Sequence, residues 1–95
     1  MRIPFKMINY LKANGNYTQI SLRGGKNLFE TKQLQMYEYF TERDLSMRRL
    51  HRSYIFNLSN IKRVGKKTAD FYATDNSLSL SISLEKKIKA ALLGK

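Results

Sequence analysis

The single histidine of this chain stands directly before an arginine, and this pair carries the most chemical information in the sequence. His51 and Arg52 follow Arg48 and Arg49 and lead into the apolar run Tyr54-Ile55-Phe56. An imidazole needs a second group to orient it before it can act as a general base, and no acidic residue adjoins His51. A guanidinium instead offers a planar fork of donors that matches guanine or phosphate. The pattern favours binding of a polyanion, with a histidine-dependent nuclease as the enzymatic alternative.

Metal binding and catalysis have little support elsewhere in the chain. There is no cysteine, and the seven acidic residues are scattered without the spacing of a metal site or a carboxylate pair. We therefore expect no catalytic residue, no metal, no cofactor and no small-molecule substrate. The lack of cysteine also suits a reducing compartment, and no apolar run has the length of a signal peptide or a membrane span. These features predict a cytoplasmic protein.

Positive charge dominates the composition and indicates an acidic partner. Eighteen Lys and Arg residues against seven Asp and Glu residues give a net charge of +11 in 95 residues. Basic residues gather around His51, at a glycine turn, and on a C-terminal helix. If these groups share one face, they form a footprint for the phosphates of a nucleic acid. An acidic protein is an alternative, and an anionic membrane is less favoured because the apolar stripe of that helix lacks Trp and Phe.

Short alternating segments separated by glycine and asparagine predict a mostly β domain with one or two short helices. Turns are expected at Asn14-Gly15-Asn16, at residues 23–26 and at residues 65–67. Strands are predicted at residues 8–13, 17–22, 27–30, 47–50, 61–64, 68–73 and 77–82, and helical segments at residues 31–40 and 84–92. Residues 53–58 are expected to form a tight turn or a short helix that plugs the core. Residues 1–95 are expected to form a single domain with one hydrophobic core.

The spacing of apolar residues within these segments predicts which side chains are buried. The helical segments are expected to bury one face each, and the last strand is expected to turn alternate residues inward. The side chains predicted to face the core in these segments are Leu34, Tyr37, Phe40, Leu78, Leu80, Ile82, Leu84, Ile88, Ala91 and Leu92. Tyr54, Ile55 and Phe56 are expected in the core as well, and Asn57 is expected to satisfy backbone groups at a turn.

Two motifs in register resemble the LytTR family of bacterial DNA-binding domains. The family motif His-Arg-Ser-Tyr-Ile-Val-Asn-Leu is matched by residues 51–58, with Phe56 as the one departure. The family's first strand, Ile-x-Tyr-Leu/Ile-Glu-Ala-x-Gly-Asn-Tyr, is matched by residues 8–17, with Lys12 in place of the acid. A middle helix between the two motifs, and Ile61 and a lysine-rich terminal helix after them, complete the match. The likeness therefore covers essentially the whole chain.

The resemblance implies a fold and a function. The fold is mostly β, with short antiparallel sheets packed side by side and one or two short helices. The function is sequence-specific binding of double-stranded DNA for transcription regulation, by loops that enter successive major grooves and by pairs of domains on repeated half-sites. Family members usually follow a receiver domain in two-component response regulators. No receiver fits into 95 residues, so we expect an excised domain or a stand-alone regulator.

A small RNA-binding β-domain is the alternative function, because it uses the same positive charge and exposed aromatic side chains for stacking. The two functions differ in the nucleic acid that binds best. Preference for duplex DNA favours the first, and preference for single-stranded RNA favours the second.

The resemblance also assigns three base contacts, one position at a time. The loop after the first strand gives Asn16 or Tyr17, and Asn16 is preferred because Tyr17 can instead pack on the sheet. The residue after the motif histidine gives Arg52. The loop before the last helix gives Ser83, but Leu84 follows where many members have an arginine.

Phosphate contact or support of these loops is expected from the remaining basic residues and the histidine. This set comprises His51, Arg48, Arg49, Lys66, Lys67, Lys86 and Lys87. Lys86 or Lys87 is expected to replace the missing arginine as a phosphate contact. His51 has two expected roles, which are to orient its loop and to contact a phosphate.

Overall fold

Short antiparallel strands account for most of the regular structure. The computed structural model describes residues 3–94; residues 1, 2 and 95, which the single-domain prediction includes, lie outside that range. The strands are β1 (Ile8–Asn14), β2 (Tyr17–Leu22), β3 (Asn27–Glu30), β4 (Met47–His51), β5 (Tyr54–Asn57), β6 (Ile61–Gly65), β7 (Thr68–Phe71) and β8 (Ser77–Ser79). The α-helices are α1 (Phe40–Arg43) and α2 (Ile82–Leu93), and 3₁₀ turns occur at Phe5–Met7, Leu34–Tyr37 and Leu58–Asn60.

The strands form two antiparallel sheets, which confirms the predicted mostly β fold. The first sheet has five strands in the order β3-β2-β1-β5-β4, and the second has three strands in the order β6-β7-β8. The β1–β2 hairpin closes at the predicted turn, with Asn14 opposite Tyr17. Gly15 has a φ of +63° there, a conformation that glycine adopts without the strain of a side chain.

Other elements pack on both faces of the first sheet, so residues 3–94 contain two hydrophobic clusters and the prediction of one core is wrong. Successive residues of a strand point to opposite faces, and Ile55 and Phe56 on β5 therefore lie in different clusters. The first cluster contains Ile8, Leu11, Ile20, Leu34, Tyr37, Phe40, Met47 and Ile55. The second cluster contains Phe56, Leu58, Ile61, Ala69, Phe71, Leu80, Leu84, Ile88 and Ala91. The segment with α1 packs on one face, and the second sheet with α2 packs on part of the other.

Residues 53–58 do not form the predicted tight turn or short helix. Most of this segment is β5, which lies between β1 and β4 and pairs Ile55 with Leu11. A short apolar run has no clear period, so its pattern alone does not separate a central strand from a buried helical turn. Aromatic and β-branched side chains that are covered on both faces favour the strand.

Other segments, among them the predicted strand at residues 68–73, which ends at Phe71, differ from the prediction in their bounds. Residues 31–40 contain a 3₁₀ turn followed by the start of α1 rather than one helix, although the three predicted apolar side chains of this segment are buried. Strand β8 ends at Ser79 and α2 begins at Ile82. Leu80 is buried as predicted, but Ile82 is 55% exposed because the chain has already entered the helix.

Two buried asparagines tie the segment between β5 and β6 to the start of β1. The side-chain amide of Asn57 donates to the carbonyl oxygens of Phe5 and Ile8 at 3.1 and 2.9 Å. The amide of Asn60 donates to the same Ile8 oxygen at 3.0 Å. The Oδ1 atom of Asn57 also accepts from the N–H of Ser59 at 3.1 Å, which confirms its predicted role in satisfying backbone groups at a turn. These bonds fix the direction in which β6 leaves the first sheet.

Helix α2 closes the second cluster. Leu84, Ile88 and Ala91 are buried against it, and Leu92 is partly buried, as the predicted apolar stripe requires. Among residues 3–94, no helix has the length and apolar character needed to cross a membrane. The lysines of α2 lie outside this stripe and face solvent.

Candidate nucleic-acid interface

Two turns that carry predicted base contacts lie side by side at one end of the strands of the first sheet. Strands β1 and β5 are antiparallel neighbours. The backbone N–H of Ala13, near the end of β1, donates to the carbonyl oxygen of Ser53 at 2.8 Å. The turn at Gly15-Asn16 therefore lies beside the turn at Arg52-Ser53. We call the surface formed by these turns, at the ends of the strands, the Arg52 edge.

The β1–β2 turn presents both of its predicted contact residues to solvent. Asn16 is the second residue of the turn and is exposed. Tyr17 begins β2, and 51% of its surface is exposed. Packing on the sheet therefore does not remove Tyr17 from contact with a ligand.

The backbone of the Arg52 turn is held by hydrogen bonds from the residues around it. The Nδ1 atom of His51 accepts from the N–H of Ser53 at 3.0 Å. The Nη2 atom of Arg49 donates to the carbonyl oxygen of Arg52 at 2.6 Å. The side chain of Arg52 itself is exposed. A held backbone and a solvent-facing guanidinium are the arrangement that base-edge recognition requires.

The two arginines before the motif have different environments. Arg49 forms an ion pair with Glu38 at 3.5 Å in addition to its bond to the Arg52 turn, and only 23% of its side chain is exposed. Its guanidinium is therefore used within the protein, which favours support of the loop over phosphate contact. Arg48, on β4, lies opposite Phe56 of β5, and its side chain is exposed. Of the two, Arg48 has the environment of a phosphate contact.

A second basic group surrounds the start of α2. The N–H of Lys67 donates to the Oε1 atom of Glu85 at 2.6 Å, and the N–H of Leu80 donates to the carbonyl oxygen of Lys67 at 2.8 Å. These bonds fix the β6–β7 turn against the first turn of the helix. We call the exposed residues of this region the α2 edge: Lys66, Lys67, Ser83, Lys86 and Lys87.

Three neighbouring residues at the start of α2 have different roles. The Oγ atom of Ser81 accepts from the N–H of Leu84 at 3.1 Å and caps the helix. Ser83 is exposed, whereas Leu84 is 3% exposed and lies in the second cluster. Leu84 therefore does not present its side chain to a ligand. The cap was missed in the sequence, although a serine shortly before an apolar helical stripe is its usual signal.

Hydrogen bonds keep the nearby carboxylates ionised. The Nζ atom of Lys89 donates to Glu85 at 2.7 Å, and this bond and the amide of Lys67 hold the pKa of Glu85 below its ordinary value of 4.5. The pKa of Asp70 is lowered first by the hydroxyl of Ser77 and then by Arg63, whose Nη2 atom is 3.3 Å from the carboxylate. The α2 edge thus contains four exposed lysines beside one carboxylate that Lys89 already pairs.

Two basic residues near the Arg52 edge were missed in the sequence. The Nζ atom of Lys12 lies 5.9 Å from the ring centroid of Tyr54. The hydroxyl of Thr18 donates to the carbonyl oxygen of Lys32 at 2.7 Å, which holds the segment after β3 at this edge, and Lys32 is exposed. The predicted hairpin at residues 23–26 is the signal that could have found Lys32, because it returns β3 antiparallel to β2.

The comparisons with known proteins concern the family and the fold of the chain. The family model described as the LytTr DNA-binding domain matches residues 1–92. Among solved structures, the chain is similar to the LytTr DNA-binding domain of a protein described as a methyl-accepting/DNA response regulator from Bacillus cereus, with 23% identity and a TM-score of 0.63 over 98% of this chain and 86% of that chain. A search of curated proteins found no match. Because the family model covers nearly the whole sequence, the chain belongs to the LytTR family of DNA-binding domains.

Proposed function

We propose that this domain binds double-stranded DNA sequence-specifically and regulates transcription in bacteria, with loops of the Arg52 edge and the α2 edge in successive major grooves. The observation that carries this proposal is the exposed Arg52 side chain on a turn held by His51 and Arg49. Holding the backbone before binding reduces the entropy lost when the guanidinium docks on a base.

Base recognition rests on the exposed side chains of the three loops. The fork of Arg52 binds O6 and N7 of guanine, which is worth about 1–3 kcal/mol of discrimination against other bases. The amide of Asn16 matches N6 and N7 of adenine. Tyr17 supports the first loop, and Ser83 contributes a hydroxyl from the α2 edge. No step of this function needs a catalytic group, a metal or a cofactor.

Phosphate contacts fix the position of the domain on the duplex. Arg48 serves the Arg52 edge, and Lys66, Lys67, Lys86 and Lys87 serve the α2 edge, while Arg49 supports its loop. We further propose that pairs of domains bind repeated half-sites in the bacterial cytoplasm. The similar domain from Bacillus cereus comes from a protein described as a response regulator, and we propose the same role for this domain.

Selection of duplexes from a random pool tests this function directly. We expect the recovered duplexes to share a short motif that occurs as a repeat. For the selected site, the logarithm of the affinity should fall with the logarithm of the salt concentration, with a slope of about 0.9 per phosphate contact. Tighter binding to single-stranded RNA than to every duplex, or recovery of duplexes without a common motif, would contradict the proposal.

A further inference from the structure

A row of side chains crosses one face of the first sheet and ends near the Arg52 edge. Strand pairing places Phe29 opposite Gln19 and Gln19 opposite Lys12. Lys12 in turn lies opposite Tyr54. Directly opposed residues of antiparallel strands point to the same face, so these four side chains share it. We call them the sheet row; it spans three strand spacings, roughly 14 Å.

Two large aromatic residues on this face are open to solvent. Phe29 is 61% exposed and Tyr17 is 51% exposed. Tyr17 precedes Gln19 by two residues on β2, so it points to the same face and is a diagonal neighbour of Phe29, at a spacing of about 7–8 Å. The second cluster partly buries Tyr10 and Tyr54 on this face, whereas Phe29 and Tyr17 lie outside it. The part of β2 and β3 that carries Phe29 and Tyr17 is therefore open on this face, and we call it the open half.

The chemistry of this open half matches a phosphate-linked chain of bases. Phe29 and Tyr17 offer flat apolar rings, and Lys12 supplies a cation between the strands that carry Gln19 and Tyr54. The sheet row contains no carboxylate, and the chain carries a net charge of +11. Single-stranded nucleic acids are held by this combination, because the bases stack on aromatic rings while cations follow the backbone.

We propose that the sheet row and Tyr17 bind single-stranded DNA, with bases stacked on Phe29 and Tyr17 and a phosphate beside Lys12. Continuity with the Arg52 edge selects DNA as the occupant. The ring of Tyr54 lies 5.9 Å from that of His51, and His51 holds the Arg52 turn. A single strand bound at the sheet row therefore lies next to the turn that the proposed function places on DNA, and the choice of DNA rests on that proposed function. This binding does not require Arg52 to read a base.

Replacing Phe29 tests the stacking site. The probe is a fluorescein-labelled oligothymidylate of about 12 nucleotides, and its affinity is measured by anisotropy at fixed salt. We expect Phe29→Ala to weaken binding by about 5- to 140-fold, the equivalent of roughly 1–3 kcal/mol per stacked base, and Phe29→Trp to restore it. Tyr39→Ala is the matched control, because Tyr39 is 46% exposed and directly precedes α1, which packs on the opposite face of the sheet, and it should leave binding unchanged.

Failure of this proposal can be distinguished from failure of duplex recognition. Phe29→Ala should leave affinity for the selected duplex within about twofold, whereas Arg52→Ala should change duplex preference and leave oligothymidylate binding intact. Equal effects of Phe29→Ala and Tyr39→Ala on the oligothymidylate would overturn the stacking site. Tighter binding of an oligouridylate of the same length would overturn the assignment to DNA. Unchanged thermal unfolding of Phe29→Ala, as expected for so exposed a residue, shows that the variant is folded.

Discussion

The Nδ1 atom of His51 accepts a hydrogen bond from the backbone N–H of Ser53 at 3.0 Å, across the turn that carries Arg52. A ring nitrogen that accepts carries no proton, so the proton of the neutral imidazole is on Nε2. The Nε2–H group can then donate a hydrogen bond to a DNA phosphate. Orientation of the loop and contact with a phosphate therefore use different nitrogen atoms, and one histidine can perform both.

Two substitutions of His51 separate these roles. His51→Ala removes the acceptor for Ser53, and we expect it to lower the free energy of unfolding by about 1 kcal/mol and to weaken duplex binding. His51→Asn keeps an acceptor at the same distance along the side chain but removes the Nε2 donor. We expect it to keep the stability and to weaken binding to all duplexes. Denaturant unfolding and duplex affinity check both variants, and wild-type stability of His51→Ala would contradict the role in holding the turn.

Arg52 and Lys66 provide a test of base contact against phosphate contact. Both side chains are exposed, but they belong to different edges of the domain. Arg52→Ala should cost about 1–3 kcal/mol on the selected duplex and relax preference at one base position. Lys66→Ala should weaken all duplexes alike and reduce the salt slope by about one phosphate contact. Affinities on the selected duplex and its single-base variants provide the measurement, and the same profile for both variants would argue against base reading by Arg52.

Local sequence signals predicted the hairpins of the fold well. The turn at Gly15-Asn16 follows from residues that tolerate unusual backbone angles, and the alternation after it predicts β2. The central strand β5 did not follow, because Tyr54-Ile55-Phe56 is too short to show a period. Its identity depends on the hairpin with β4, which directly precedes it, and on pairing with β1, which is remote in sequence.

The residue types of the candidate site could be predicted from the sequence, but the environment of each side chain could not. Arg48 and Arg49 are identical neighbours in the sequence, and only the folded chain brings Glu38 within 3.5 Å of Arg49. The same limit applies to Lys12, whose proximity to Tyr54 depends on strand register. A short sequence motif can therefore name candidate contacts, whereas long-range packing decides which of them face solvent.

Asn57 is expected to be essential for holding the end of β5 against the start of β1. It is 2% exposed, and its amide satisfies the carbonyl oxygens of Phe5 and Ile8. Asn57→Ala leaves buried backbone groups without this partner, and we expect the free energy of unfolding to fall by about 1–3 kcal/mol. Asn76→Ala, at an exposed position of the β7–β8 turn, is the matched control and should change it by less than about 0.5 kcal/mol. Similar losses in chemical denaturation of both variants would refute the role of Asn57.

Ser81 and Ser83 differ in what their hydroxyl groups do, although they are two residues apart. Ser81 caps α2, so Ser81→Ala should lower the free energy of unfolding by about 1 kcal/mol. Ser83 is exposed, and Ser83→Ala should leave stability within about 0.5 kcal/mol while changing preference at a base of the selected duplex. Chemical denaturation and duplex binding are measured on both variants. Unchanged base preference in Ser83→Ala would remove Ser83 from the predicted base contacts.

Glu85 links stability to pH through its bonds to Lys89 and to the amide of Lys67. These bonds lower the pKa of Glu85 in the folded protein below its ordinary value of 4.5. The stabilisation is therefore fully present above pH 4.5 and is lost as the pH falls through the lowered pKa. Glu85→Gln keeps an acceptor for Lys67 but removes the charge. We expect its Tm to lie below that of the wild type at neutral pH, and the difference to shrink as pH falls well below 4.5.

Lys89→Met provides the matched control for this pH dependence. It removes the first cause of the lowered pKa of Glu85 and leaves the Lys67 amide in place. We therefore compare the effect of Glu85→Gln on Tm in two backgrounds, the wild type and Lys89→Met. The effect should depend less on pH in the Lys89→Met background. Added salt should reduce the wild-type effect as well, because the ion pair is near the surface. A Tm difference that stays constant from neutral pH to well below 4.5 would show that the charge of Glu85 does not stabilise the α2 edge.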